Sequence, residues 1–318
     1  MKKLVDILSS SEQKFDCVDV EELVVVLNEI DSMIGLESFK EKVAQQVKSF
    51  IVNYKLTGNY LSGNMLNVLI TGPPGSGKTY SGRLLAKMWA CFSNHRNRIG
   101  IIPDRGSVEI PKLKDDNGFV ILTRADLVKR YQGHSVDNMK TIFAENTGKT
   151  IFIDEAYSIC LDAKDTFGME VATEINNFMD KNPDAIRWIF AGYKDQIEKT
   201  LFQLQPGFRR RFSAKFELGD YTCTELFDIF KQQLASLKLT VEDEKSAFAR
   251  FEQIYNSGGL PDYGGSTLNM SFTIRESMLG AQFEEIMRGE EISTQVPAKL
   301  ISAPDRPEED NSYLNMYL

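Results

Sequence analysis

Residues 67–79 are Asn-Val-Leu-Ile-Thr-Gly-Pro-Pro-Gly-Ser-Gly-Lys-Thr, and this stretch decides the fold. Its apolar beginning is typical of a buried strand, and a helical pattern follows it. The eight residues from Gly72 to Thr79 match G-x-x-x-x-G-K-[ST], a loop whose backbone N–H groups surround a β-phosphate at a helix N-terminus. A plain Gly/Pro turn is the alternative. The predicted nucleotide-binding residues are Gly72, Pro73, Pro74, Gly75, Ser76, Gly77, Lys78, Thr79 and the adjacent Tyr80.

Two of these residues have defined roles in phosphate chemistry. Lys78 is expected to reach the β- and γ-phosphates, and the Thr79 hydroxyl is expected to ligate Mg²⁺. The predicted cofactors are therefore ATP and Mg²⁺.

Outward from this loop, strands and helices alternate. Short apolar runs at 119–123, 150–153, 186–191 and 215–218 predict four more strands, with helical patterns between them. This rhythm predicts an α/β fold with a parallel five-stranded sheet and flanking helices. The polar segment 93–118 interrupts it and is predicted to be a surface insertion.

The two ends of the chain have a different character. Residues 1–33 form a charged lead-in with one predicted helix, 20–30, and a second helix is expected from Ile34 to about Tyr54. After Thr222 we expect no strands, only helices at 222–237, 241–256 and 272–288, with a glycine-rich loop at 257–266. The predicted domains are 1–33, an α/β domain 34–220, a small all-α lid 221–288, and a mobile acidic tail 289–318.

Composition limits the classes of partner. The chain has 318 residues and a net charge of −8, so it lacks the long-range attraction to nucleic acid or anionic lipid that a basic protein has. The four cysteines are widely spaced and form no CxxC pair, which argues against a thiolate metal site and a disulfide framework. With no signal peptide and no apolar run of about 20 residues, a soluble, cytoplasmic protein is expected, without a membrane partner.

A second acidic motif follows the predicted strand 150–153. Asp154 is expected to hold Mg²⁺ through water, and Glu155 to orient and deprotonate the attacking water. A strand with an acidic cap is the alternative interpretation. Three arginines, Arg209, Arg210 and Arg211, precede the last predicted strand, and one of them is expected to neutralise γ-phosphate charge as an arginine finger; a solvated basic turn is the alternative.

The order of these motifs resembles the AAA+ superfamily, and more narrowly the CbxX/CfqX group, which includes the red-type Rubisco activase. The resemblance covers roughly residues 32–280. Besides the phosphate loop, the stretches that carry it are residues 34–37, 123–128, 131–134, 153–157, 191–195 and 206–209.

The resemblance implies further roles by position. Ile34 and Gly35 would pack beside the adenine. Tyr131, Gln132 and Gly133 would form a pore loop, whose aromatic ring can grip a polypeptide; a surface tyrosine in a turn is the alternative. Arg211 best fits the finger position, with Arg209 and Arg210 as alternatives.

The sensor positions depart from the usual pattern. Tyr193 stands where AAA+ proteins often have Asn or Thr and is a candidate γ-phosphate sensor; a tyrosine packed under the sheet edge is the alternative. The position aligned with the second sensor arginine holds Phe272, so either Arg275, one turn on, substitutes for it or this sensor is missing.

The favoured function is an ATP-hydrolysing motor that forms a homo-hexameric ring, with arginine fingers acting between subunits, and remodels or threads a protein client. One alternative is a nucleic-acid loader, which the net charge opposes and Lys129-Arg130 supports. A nucleotide-gated scaffold is opposed by the intact Asp154-Glu155 pair, and a small-molecule kinase by the arginine run and the helical lid.

Overall fold

The computed structural model describes residues 1–10, 18–58, 60, 66–92, 118–128, 134–219 and 221–304. Contacts divide them into two compact units. Unit 1 comprises the described parts of Met1–Pro73 and Gly77–Gly219, and unit 2 comprises Pro74–Ser76 with the described part of Asp220–Leu318. The phosphate loop therefore passes from unit 1 into unit 2 and back. The predicted insertion, 93–118, lies outside the described residues except for Gly118.

The centre of unit 1 is a five-stranded parallel sheet with the strand order β2-β3-β4-β1-β5. Every residue of β1, β3 and β4 is buried, as expected for central strands of a sheet covered by helices. The predicted strands are confirmed, three of them with ends displaced by one residue. The strands are β1 (Asn67–Thr71), β2 (Phe119–Leu122), β3 (Thr150–Ile153), β4 (Arg187–Gly192) and β5 (Ala214–Glu217).

Nine described helices belong to unit 1. α3 buries Phe39, Val43, Val47 and Phe50, the apolar positions spaced as one helical face. The helices are α1 (Lys2–Ser10), α2 (Val20–Ser32), α3 (Glu37–Thr57), α4 (Lys78–Cys91), α5 (Arg124–Leu127), α6 (His134–Glu145), α7 (Thr166–Lys181), α8 (Lys194–Lys199) and α9 (Leu201–Leu204).

The first 33 residues are more structured than expected. In place of one helix in a charged lead-in, the structure has α1 as well as α2, and both bury leucines in the core that α3 and α4 share. The Asp19 side chain caps α2 by accepting a hydrogen bond from Glu22 N.

The described part of unit 2 contains three α-helices, α10 (Cys223–Ser236), α11 (Glu244–Asn256) and α12 (Gly264–Arg288). A capping box between Thr222 and Glu225 begins α10. α12 begins eight residues earlier than predicted, so the glycine-rich loop is shorter.

The expectation that strands stop after Thr222 is wrong. β6 (Thr240–Val241) pairs in parallel with β7 (Gln295–Val296), and Val296 and Ile301 are fully buried. The start of the predicted mobile tail therefore contributes two buried apolar side chains, Val296 and Ile301, to the core of unit 2. Residues 305–318 lie outside the described part of the chain.

Helix α12 has two apolar faces. Met270, Ile274 and Met278 are buried on the first. The second, which we call the exposed stripe, has residues that are 39% to 63% exposed at helical spacing and that no described segment covers: Leu268, Phe272, Leu279, Phe283 and Ile286.

Candidate active site

Parallel strands bring their carboxyl ends to one edge of the sheet, and the predicted site residues collect there. β1 leads into Gly72, β3 into Asp154, and β4 into Tyr193. β4 lies between β1 and β3, so Tyr193 comes from the strand between the two motifs.

The phosphate loop adopts a backbone that its glycines permit. Gly75 and Gly77 have φ of +63° and +86°, in the left-handed region that favours glycine. α4 begins directly afterwards, at Lys78. This geometry fits a phosphate group, because successive amides and the helix N-terminus lie within one short turn.

Lys78 lies beside its own loop. Its Nζ donates to the carbonyl oxygens of Gly72 at 3.0 Å and Pro73 at 2.7 Å, and lies 5.2 Å from the centre of the Tyr193 ring. Burial lowers the pKa of Lys78, and the nearby charges of Asp154 and Glu155 act in the opposite direction. The ammonium is thus in the field of the predicted magnesium ligand, Asp154, and the predicted base, Glu155.

The backbone turns sharply after β3. Glu155 has φ of +48°, which is costly for a residue other than glycine, and its amide donates to Asp154 Oδ1 at 3.0 Å. Asp154 is partly buried and Glu155 is exposed. Strain of this kind often marks functional sites, because the surrounding structure must hold it.

Two tyrosines connect the lysine with the glutamate. The rings of Tyr157 and Tyr193 stack, with centroids 5.6 Å apart and planes 17° from parallel. Burial raises the pKa of Tyr157 to about 12, and the charge of Glu155 and its hydrogen bond with Tyr157 add to the effect. Lys78, Tyr193, Tyr157 and Glu155 therefore form one continuous row. Tyr157 was not predicted as a site residue, although it closes the Asp-Glu-Ala-Tyr sequence that carries the family resemblance.

A cleft of about 590 Å³ opens beside the two carboxylates. Arg124 forms part of its wall and donates to both carboxylate oxygens of Asp165, at 2.7 and 2.9 Å. Arg124 also donates to the carbonyl oxygens of Ser158 and Ile159. The cleft is lined by Thr123, Arg124, Ala125, Val128, Asp154, Glu155 and Ser158.

The three candidate finger arginines have different surroundings. Arg209 pairs with Glu198. Arg211, the one favoured from the sequence, pairs with Asp180 at 2.6 Å, and its side chain is only 12% exposed. Arg210 is exposed and has no ion pair among the described residues.

Other predicted nucleotide contacts are placed as follows. Ile34 and Gly35 are half-exposed in the turn between α2 and α3. Tyr80 is exposed and donates from its hydroxyl to Glu29 on α2 at 2.9 Å. Thr79 is partly buried in the first turn of α4. Their roles stay predictions.

The remaining sequence predictions have less structural support. Arg275 is exposed, eleven residues into α12, and Phe272 belongs to the exposed stripe. The pore-loop residues Tyr131, Gln132 and Gly133 lie outside the described residues.

Unit 2 supplies contacts that the sequence did not indicate. The hydroxyl of buried Tyr221 donates to the carbonyl oxygen of Ser76 at 3.1 Å. Gly75 lies against the backbone of Asp262 and Gly265. No local sequence pattern indicates these contacts, since at least 145 residues separate the partners in sequence.

Comparison with known proteins agrees with this geometry. Residues 68–220 match the family described as "ATPase family associated with various cellular activities (AAA)". The protein CbbX of Cereibacter sphaeroides is 32% identical over 64% of this chain and 61% of its own. The chloroplastic ribulose bisphosphate carboxylase/oxygenase activase of Cyanidioschyzon merolae is 28% identical over 69% of this chain and 66% of its own. A putative cfxQ-like protein of Acanthamoeba polyphaga mimivirus is 29% identical over 74% and 51%.

The chain thus spans about half to two thirds of the length of these curated relatives. Solved structures share the fold at low identity. The FIGL-1 AAA domain in complex with ADP has a TM-score of 0.56 at 18% identity and covers 96% of both chains. The Thermotoga maritima RuvB Holliday junction branch migration motor has a TM-score of 0.52 at 19% identity, covering 90% of this chain and 77% of its own.

Within the described ranges, no helix combines the length and apolar character needed to cross a bilayer. The phosphate loop, the parallel sheet and the family match therefore agree: residues 68–220 match the AAA ATPase family, and the chain is similar to the CbbX and CfxQ proteins.

Proposed function

We propose that the protein binds ATP with Mg²⁺ and hydrolyses it to ADP and phosphate. The observation that carries this proposal is the row Lys78, Tyr193, Tyr157 and Glu155 at the carboxyl edge of the sheet. It places a cation beside the phosphate loop and a carboxylate at the far end, with aromatic rings filling the space between. The family match and an ADP-bound structural neighbour support it.

Each residue has a role in this mechanism. Amides of the phosphate loop hold the β-phosphate, and Lys78 leaves its own carbonyl partners to pair with the β- and γ-phosphates. Thr79 and Asp154 would hold Mg²⁺, which would supply charge neutralisation of the phosphates. Glu155 orients a water molecule in the cleft and accepts its proton. Tyr193 follows the end of β4, in contact with Lys78, where it can respond to the γ-phosphate.

Glu155→Gln tests this chemistry. The variant keeps size and hydrogen bonding but loses the base, so steady-state hydrolysis should fall by about 10²–10⁴-fold while ATP binding persists. Phosphate release and nucleotide binding are measured in parallel. Glu41→Gln, at an exposed position on α3, is the matched control and should behave as wild type. Retained hydrolysis by Glu155→Gln refutes the assignment of the base, and failure of wild type to bind ATP refutes the proposed function.

We further propose that the protein assembles as a homo-hexameric ring and remodels or threads a protein client, as a Rubisco activase-like motor. The similarity to CbbX and to a Rubisco activase supports this, and the net charge of −8 argues against a nucleic-acid client. In this arrangement Tyr131 lines the pore, and a neighbouring subunit supplies the arginine finger.

Mixing variants identifies the finger. We favour Arg210, because it is exposed and needs to break no ion pair among the described residues, whereas Arg211 must leave Asp180. Arg210→Ala and Glu155→Gln should each be inactive alone. Mixed, they should regain part of the hydrolysis, because an Arg210 from one subunit then serves an intact Glu155 in the next. If Arg210→Ala is active alone, and Arg211→Ala regains hydrolysis only when it is mixed with Glu155→Gln, the finger is Arg211.

A client test separates the motor from a loader. Hydrolysis by wild type should rise on addition of an unfolded protein, and Tyr131→Ala should lose that stimulation while keeping basal hydrolysis. Stimulation by DNA and by no protein contradicts the protein-remodelling proposal.

A further inference from the structure

The tip of the phosphate loop is held by residues of unit 2. Pro74–Ser76 are grouped with that unit, and Tyr221, which is 7% exposed, donates from its hydroxyl to the Ser76 carbonyl oxygen at 3.1 Å. The backbone carbonyl of Tyr221 in turn accepts a hydrogen bond from the Tyr255 hydroxyl at 3.2 Å. Two tyrosines thus link the loop tip to α11.

The same tip lies close to the backbone of residues 262–265, at the start of α12. A Cβ added at Gly75 would lie 1.9 Å from the Asp262 carbonyl oxygen and 2.6 Å from Gly265 N. A Cβ added at Gly264 would lie 2.9 Å from the Gly75 carbonyl oxygen. Such closeness requires glycine at Gly75 and explains Gly264 in the first turn of α12 despite its low helix propensity.

The hydrogen bond from Tyr221 fixes the direction of one amide. In a planar trans peptide the C=O and N–H point in opposite directions, and no described peptide bond is cis. With the Ser76 carbonyl held toward Tyr221, the N–H of Gly77 must point away from it. Amides of this loop are the groups that surround a phosphate.

We propose that Tyr221 is a positioning residue, which sets the Ser76–Gly77 peptide so that the Gly77 N–H donates to the β-phosphate of the nucleotide. This inference rests on the proposed function and adds a residue outside the recognised motifs. Without Tyr221 the peptide can rotate, and the cradle loses a preorganised donor. Binding should then weaken only for ligands that carry a phosphate at that place.

The Tyr221 hydroxyl is suited to this role over a wide pH range. Burial, with a further contribution from Glu225, raises the pKa of Tyr221 to about 12. The hydroxyl therefore keeps its proton and remains a donor throughout the neutral pH range. A phenylalanine has the same ring without this donor, so Tyr221→Phe removes one hydrogen bond and little packing.

Calorimetric titrations of ADP, AMP and pyrophosphate test the proposal. Tyr221→Phe should weaken ADP and pyrophosphate by about three- to tenfold, the value of one net hydrogen bond, and leave AMP within twofold of wild type. Tyr255→Phe should show a smaller loss of the same kind. Tyr60→Phe, which alters a buried tyrosine stacked on Tyr54, is the control and should change none of the three.

A second pair of variants probes the neighbouring peptide of the loop, Gly75–Ser76. Gly264→Ala crowds the Gly75 carbonyl and should give the same phosphate-selective loss, whereas Gly280→Ala adds a methyl on α12 that meets no atom within 4 Å and should bind normally. An equal loss for AMP and ADP, or unchanged ADP affinity in Tyr221→Phe, overturns the positioning role. If wild type binds none of the three ligands, it is the proposed function that fails.

Discussion

The ion pair between Arg124 and Asp165 allows a quantitative test of how the cleft is held together. Arg124 follows β2 and Asp165 caps α7, so their two hydrogen bonds tie two elements that are 41 residues apart. The side chains are 28% and 10% exposed. Loss of one partner of a buried pair costs about 3–5 kcal/mol.

The expected effect of Arg124→Ala is at the low end of that range. The arginine is partly exposed, and Asp165 keeps the amides of Leu161 and Gly168 as donors, at 3.0 Å each. Against this, the carbonyls of Ser158 and Ile159 lose their donor. We expect a loss of about 3 kcal/mol in the free energy of unfolding of unit 1 and a coupling energy with Asp165→Ala of about 2 kcal/mol.

Urea unfolding followed by tryptophan fluorescence measures these quantities. The two tryptophans, Trp89 on α4 and Trp188 on β4, are each 1% exposed and both report on unit 1. Arg124→Lys, which keeps the charge but loses the paired geometry, should fall between wild type and Arg124→Ala. A coupling energy below about 0.5 kcal/mol would refute the argument, because the pair would then be equivalent to an exposed one.

The same pair has a defined pH dependence. Burial acts to raise the pKa of Asp165, but hydrogen bonds from Arg124, Leu161 and Gly168 outweigh it, so the pKa is lowered. The stabilisation is therefore complete above the unfolded pKa of about 3.9 and is lost as the pH falls through the lower folded value. The difference in urea midpoint between wild type and Arg124→Ala should shrink over that acidic interval and be constant from pH 5 to 8.

Three further outcomes follow from the described contacts. Tyr193→Phe keeps the ring near Lys78 and should bind ADP within twofold of wild type. Tyr193→Ala loses a cation–π contact of about 0.5–1 kcal/mol and should bind ADP about two- to fivefold more weakly. Equal ADP affinities of Tyr193→Ala and wild type would contradict this expectation. Val296→Asp places a charge at a fully buried position, so hydrogen exchange should show lost protection in α11 while β1 keeps its own. Stability should decline between pH 10 and 12, because the unfolded chain ionises Tyr221 first and its folded pKa is about 12, and Tyr221→Phe should flatten that decline.

The chemical motifs could be predicted because their signals are local. The phosphate loop and the Asp154-Glu155 pair each lie within a few consecutive residues, directly after a buried strand. The five-stranded sheet could be predicted from the short apolar runs that form its strands. β2 ends one residue earlier than predicted, because Thr123 caps α5 through a capping box with Asp126.

The features that could not be predicted from the sequence depend on residues that are distant in the chain. The hydrogen bond from Tyr221 to Ser76 joins residues far apart in the chain, and the stacking of Tyr157 on Tyr193 depends on the order of strands. β6 and β7 have two residues each, too few to show a period of two. The first turn of α12 contains Gly264 and Gly265, which oppose helix formation, so its early start could not be read from propensity.

The exposed stripe of α12 has a practical consequence for handling the protein. Between Leu268 and Ile286 it extends for about 27 Å, at 1.5 Å per residue, with nothing from the described chain over it. Excluded salts such as sulfate strengthen contacts between apolar surfaces, whereas the net charge of −8 keeps molecules apart at low ionic strength. The second virial coefficient of the purified protein should therefore change sign, from repulsive to attractive, as ammonium sulfate is added, and Phe283→Glu should move that crossing to higher salt.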